Sequence, residues 1–382
     1  DPSLSLRQVV VQYSRYFFGA GGASNETEEW ADALFGLEEN WVGSPGKMNA
    51  AIPRTLSLLQ KLVEKPGAGT VSKDWRAQMY LKRAYFDSYV QRRYIHEVEL
   101  NEAAAWKALA AAKATGSREA IAGVREALAR PDPSAATTAA YRARILELSS
   151  ALNASVGDDV LGNQDPSLNL KTIDTPLSDS AFLRSQMQLA EELRTESARL
   201  DFIRALVNHT DPGPGGFYDD LGSMDTTLAP RLDQGQGAEA DPSFFFTPLR
   251  VGPTMPNAMD FSCRRSWSSY SMSFFDSSAV RLRYEGLSAN LTYAVHIVFN
   301  ALQEPFGDGN TDKMRVVATT WPRPGPAVTV WPHPPLQYGF APSPMTKTVV
   351  PIPHALTAGG GLSLRCNQPP GVPGNGRTCQ IS

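Results

Sequence analysis

Between residues 4 and 206 apolar side chains recur every three or four positions, the spacing that gathers them on one face of an α-helix. A first helix is predicted over 4–18, carrying Val9, Val10, Tyr13, Tyr16 and Phe17, and the glycine-rich stretch 19–22 ends it. A second begins near Asn25, with Thr27 as its cap and Glu28 and Glu29 at the positive helix start. Trp30, Ala33, Leu34 and Leu37 form its apolar side. A third follows Pro45, with Met48, Ile52, Leu56, Leu59 and Leu62 on one face, and stops before Pro66. The longest helix is predicted over 72–112, a proline-free and alanine-rich stretch. Further helices are expected over 117–129, 134–152 and 178–207. The short loops between them imply antiparallel neighbours in a bundle.

The pattern changes after residue 207. Residues 208–242 are rich in Pro, Gly, Asp and Gln and read as a linker loop. From 243 onward the apolar period is two, as in 267–274 and 280–284. Further strands are expected over 291–299 (buried throughout), 314–319, 327–331, 346–352, 362–366 and 379–382. Short strands divided by Gly and Pro turns indicate an antiparallel β-sandwich of jelly-roll type. The expected organisation is therefore α+β: a helical bundle over 1–207, a linker over 208–242 and a sandwich over 243–382.

Composition narrows the function classes. The 382 residues are 42% hydrophobic and 20% charged, as in globular proteins, and carry a formal net charge of -3. No basic stripe runs along the sequence, so nucleic acid is not an expected partner. No apolar run approaches the ~20 residues that span a bilayer. The chain opens at Asp1 without Met and closes inside an expected strand, which suggests a processed chain or a piece of a longer polypeptide. Four N-glycosylation sequons, at Asn25 in a glycine-rich loop, Asn153, Asn208 and Asn290, point to a secreted or cell-surface protein. The three cysteines all lie in the last third. A Cys366–Cys379 bridge would close a short Pro/Gly-rich loop and stabilise by ~3 kcal/mol in the chain-entropy picture.

Three groups of residues could carry chemistry. Asp211, Asp219, Asp220 and Asp225 lie in one loop held by Pro and Gly turns, and such oxygens suit calcium. The alternative is a solvated turn whose carboxylates cap nearby amides. Tyr85, Tyr89, Arg92, His96 and Glu99 follow each other at helical spacing and could line a sugar groove, or form a half-buried bundle face. Trp321, Trp331, Tyr338 and Tyr218 are candidates for stacking on sugar rings, against the default of core packing. His96-Glu97 opens like a zinc-protease helix, but residue 100 is Leu, so that motif is absent. There is no GxSxG elbow, phosphate loop or dinucleotide fingerprint.

Several segments resemble the C-terminal part of large secreted glycosidase-like proteins: Tyr16-Phe-Phe-Gly19, Gly36-Leu-Glu-Glu-Asn-Trp41, residues 80–93, and His209-Thr-Asp-Pro-Gly-Pro-Gly-Gly-Phe-Tyr-Asp-Asp-Leu-Gly222. In that family a barrel similar to α-glucuronidases or hexosaminidases precedes a helical domain. Tyr284-Glu-Gly-Leu287, Tyr293 and Ile352-Pro-His-Ala-Leu356 look like a galactose-binding-type jelly roll. The resemblance implies no catalytic residue here, because the barrel lies outside this sequence. It implies a non-catalytic, carbohydrate-associated region whose partners are glycans or other extracellular proteins. One alternative is an accessory part of a glycoside hydrolase. Another is a structural component of a cell wall or surface filament.

Overall fold

The computed structural model describes residues 4–19, 24–40, 49–64, 71–156, 173–174, 177–221, 228–232, 244–247, 270–273, 280–299, 315–332 and 346–367. The protein is α+β, with helices in the N-terminal part and antiparallel sheets in the C-terminal part. It divides into two compact units, residues 1–108 with 122–180, and residues 109–121 with 181–382. No helix among the described residues is long and apolar enough to cross a membrane.

In the first unit, α1 (Leu6–Phe18) starts with a reciprocal cap: Ser5 accepts from the Gln8 amide and the Gln8 side chain accepts from the Ser5 amide. In α2 (Ser24–Glu39) the helix is already under way at Thr27, which is buried inside it and is not the cap. Asn25 stands in the first turn of α2, not in the glycine-rich loop that precedes it. Helix α3 (Ala51–Val63) tolerates Pro53 because amides of a first turn have no intrahelical acceptor to lose. Asp74 caps α4 (Trp75–Tyr94), accepting from the amides of Arg76 and Ala77. A π-helical segment, Ile95–Glu102, joins α4 to α5 (Ala103–Ala110). Beyond α6 (Ala112–Thr115), which belongs to the second unit, come α7 (Ser117–Leu128), divided between the units, and α8 (Ala135–Val156) of the first.

The core of this unit gathers Phe18, Trp30, Leu59, Leu62, Leu81 and Ile145, drawn from α1, α2, α3, α4 and α8. Gly36 of α2 lies close against α3. A Cβ there would run into the hydroxyl of Thr55, a buried residue of α3. Alanine ordinarily favours a helix by ~1 kcal/mol over glycine. Overpacking costs ~1–3 kcal/mol, and Thr55 has no room to retreat. Gly36→Ala is therefore expected to destabilise, and adding Thr55→Ala should recover part of the loss. Urea unfolding of the two single variants and the double variant checks the coupling. Additive effects would mean that the two helices do not meet here.

The helix expected over 178–207 is two helices, α9 (Ser180–Glu192) and α10 (Glu196–Val207). The break has a sequence cause. Thr195 is extended and caps the new helix by accepting from the Ala198 amide. Arg199 reaches back to the Leu193 carbonyl at 2.7 Å and secures the other side of the joint.

Strands β1 (Phe244–Thr247) and β2 (Tyr270–Ser273) pair with each other. Strands β3 (Val280–Glu285), β5 (Arg315–Thr320), β6 (Val328–Pro332) and β8 (Gly361–Asn367) form a sheet in the order β3-β8-β5-β6. Strand β4 (Tyr293–Phe299) pairs with β7 (Thr346–Ile352). All these pairings are antiparallel. The strand expected over 379–382 and the start of 267–274 lie outside the described residues. Strand β1 and the short helix α11 (His354–Thr357) are not foreseen by the sequence pattern.

Period two decides the layering. Val280 and Leu282 of β3, Leu362, Leu364 and Cys366 of β8, and Val316 and Ala318 of β5 share one side and are buried. Ile297 of β4, Val350 and Ile352 of β7 and Leu356 of α11 complete that core. Strand β4 was expected to be buried throughout. Instead Ala294 and His296 are exposed and Ile297 is buried, so it is a one-sided strand.

Candidate functional site

The loop that follows α10 is described at 208–221 and 228–232, and it packs onto the strand core through Leu221, Ala229, Phe217 and Leu232. Leu232 bridges to Leu282, and the Arg283 amide donates to the Arg231 carbonyl, so this piece lies along β3. Gly215 holds a left-handed turn at φ 76°, and a Cβ there would meet Leu291 at 2.9 Å.

The acids expected to bind calcium go different ways. Asp211 accepts from the Gly213 amide at 2.9 Å, a local turn contact. The Asp219 carboxylate is buried and accepts from the amide and the guanidinium of Arg231, both at 3.3 Å. Asp220 is buried, its amide donating to the Leu228 carbonyl. Asp225 lies outside the described residues. Among the described residues no three acidic, His or Cys side chains are placed to hold a metal. The Arg231 guanidinium lies 4.5 Å from the centre of the Phe217 ring, and Phe217 packs against Tyr284. Burial raises the Tyr284 hydroxyl above the ordinary tyrosine range, and the Asp219 carboxylate pushes it the same way. Tyr218 is half-buried, edge-on to His209.

The aromatic face of α4 is turned inward. Tyr85 is buried and donates to Glu64 at 3.0 Å, while Arg144 holds the same carboxylate at 2.8 Å. Tyr89 is buried and donates to Asp174 at 2.8 Å, and Arg142 forks onto that carboxylate. The Arg142 hydrogen bonds hold Asp174 below the usual carboxylate range, opposed by partial burial and assisted by Tyr89. Arg92 lies 5.3 Å from the Tyr141 ring. These are two parallel tyrosine–carboxylate–arginine latches between α4 and its neighbours. The π segment changes the helical phase after Tyr94, so His96 and Glu99 do not continue the stripe. His96 sits against Asn101, and Glu99 is exposed.

Of the stacking candidates, Tyr218 and Trp321 are the two whose side chains are described. The side chain of Trp331 and all of Tyr338 lie outside the described residues. Trp321 follows β5, half-exposed, with its indole N–H donating to Glu285 at 3.1 Å. The Arg283 guanidinium lies 4.2 Å from the ring centre. Gly361 of β8 makes room for it, since a Cβ there would strike the Trp321 carbonyl. Trp321, Arg283 and Glu285 thus form an aromatic-and-charge cluster at the sheet edge.

Asn25, Asn208 and Asn290 are exposed and Asn153 is half-exposed. Asn208 closes α10, and Asn290 stands in the turn before β4. Cys366 is buried on β8. Cys263 and Cys379 lie outside the described residues, and with them the expected Cys366–Cys379 pairing.

Comparison of the chain with family models, curated proteins and solved structures returns no match.

Proposed function

We propose that the chain is a non-catalytic, carbohydrate-associated region of a secreted or cell-surface glycoprotein. In this reading the C-terminal strands build a jelly-roll-like sandwich that binds glycans, and the helical part is a scaffold. The observation that carries it is the Trp321 cluster. A half-exposed indole flanked by a guanidinium and a carboxylate offers a flat apolar surface beside hydrogen-bonding groups, the combination that suits a sugar ring. The exposed sequons support an extracellular setting. The tyrosines of α4 are committed to internal carboxylates, so nothing there favours an active-site rim.

A panel of soluble neutral polysaccharides titrated against the chain tests this. Binding of at least one, weakened roughly tenfold or more by Trp321→Ala with the fold retained, is the expected result. A flat response across the panel would remove the glycan-binding reading.

A further inference from the structure

The four sequons stand on different backbone. Asn25 is in the first turn of α2, and Thr27, which carries the hydroxyl of its sequon, is buried in that helix. Asn153 is half-exposed in the last turn of α8. Asn208 closes α10, and His209, the middle residue of its sequon, is half-buried against the Leu206 carbonyl. Asn290, Leu291 and Thr292 are all exposed, and all three lie outside helix and strand, in the turn between β3 and β4.

Hydrogen bonds fix that turn on every side except the acceptor's own. The Leu287 amide donates to the Gly360 carbonyl, and the Ser288 amide donates to the Tyr293 hydroxyl at 2.8 Å. The Leu291 amide donates to the Ser288 carbonyl, and the Asn290 amide to the Ser288 hydroxyl at 3.3 Å. His354 of α11 donates through Nε2 to the Ala289 carbonyl at 2.7 Å. Among the described residues the side-chain amide of Asn290 has no hydrogen-bond partner. The middle residue, Leu291, is 41% exposed and lies over Gly215.

We propose that Asn290 carries an N-linked glycan in the native chain, and that its first sugar ring settles on Leu291. The sequon couples an asparagine amide with a hydroxyl two residues on, and the attached glycan is bulky and needs a surface position. Asn290 meets both conditions with its turn already formed and its amide unspent. The donor is a lipid-linked oligosaccharide pyrophosphate. Nδ2 of Asn290 forms a bond to the anomeric carbon of the first sugar and gives up one proton to the transferase. The bond from that carbon to the phosphate oxygen breaks, and its electron pair leaves with the pyrophosphate. Sugar rings have apolar C–H faces, so a ring laid on Leu291 withdraws apolar surface from water. The site rests on the secreted setting proposed above, where such transfer takes place.

The test treats the native protein with peptide-N-glycosidase in heavy-oxygen water, which converts each glycan-bearing asparagine to a labelled aspartate, and reads the peptides by mass spectrometry. Label at position 290 is the expected result. Label at another sequon with Asn290 unmodified would overturn this site and leave the secreted setting standing. No label at any sequon would overturn the site and remove the sequons as support for that setting, while glycan binding at Trp321 keeps its own titration. A second measurement isolates the contact. The parent and Leu291→Ser, which keeps the sequon, are both secreted from a eukaryotic host and melted before and after deglycosylation. Deglycosylation should lower the melting temperature of the parent by a few degrees and leave that of Leu291→Ser unchanged. Equal shifts in the two would overturn the packing of the sugar on Leu291.

Discussion

Trp30→Ala should cost the helical unit about 3–5 kcal/mol, the range for truncating a buried aromatic in a packed core. The ring is fully buried, and it stacks on Phe18 with centroids 4.0 Å apart and planes 19° from parallel. Phe18 in turn meets Tyr80 edge-on at 6.3 Å. The two rings join α1 to α2, and α2 to the leucines of α3 and α4. Removing the indole leaves a cavity bordered by rings and leucines from several helices, which cannot collapse from one side. The indole N–H finds no acceptor among the described residues, so part of the ring's packing gain already goes to offsetting a buried donor. Trp30→Phe keeps the stack and deletes that donor. It should cost far less, about 1–2 kcal/mol or below. Urea unfolding followed by the helical circular dichroism signal measures both. Equal losses for Ala and Phe would mean that the full volume of the indole, not the stack on Phe18, holds the position.

The sequence carried the helical half well because its elements follow local rules. Amphipathic spacing, the Ser5 and Asp74 caps, and the glycine stop after Phe18 each act within a turn or two. Where a second local signal competed, the pattern misled. Thr195 lies inside an apolar stripe but behaves as a cap, and it splits one expected helix into two. The α4 face failed for a different reason. Regular 3.6 spacing cannot foresee a π segment, and it cannot tell a tyrosine that faces solvent from one whose hydroxyl reaches Asp174, 85 residues later in the chain.

In the strand half, period two marked β3, β5, β7 and β8 closely, but not who pairs with whom. That is why the cross-strand pair Arg281 and Arg365 was missed. The alternation in 280–284 already assigned Arg281 and Arg283 to the side away from the core. That Arg365 stands opposite Arg281 depends on strand order and register, which join residues 84 positions apart.

The Asp219–Arg231 pair gives the second large effect and decides what the Asp-rich loop is for. Arg231→Met keeps an unbranched stem over Phe217 and removes the charge. Asp219 would then stay buried, with the Arg231 backbone amide as its remaining partner from that residue and the Tyr284 phenol close by. Breaking one side of a buried pair costs ~3–5 kcal/mol, because the other charge is left behind. The Arg231 side chain keeps 28% of its surface exposed, which places the loss toward the lower end of that range. Removing both charges with Asp219→Ala and Arg231→Met should cost less than Arg231→Met alone. Thermal melts with and without calcium separate the two roles open to this loop. If Asp219 serves Arg231, calcium leaves the melting temperature of parent and variant alike. If the loop is a cation site, calcium stabilises the parent and substitutes for the lost guanidinium in Arg231→Met. The geometry favours the first outcome: the Asp219 carboxylate faces a cation that the chain itself supplies, while Asp211 turns back on Gly213.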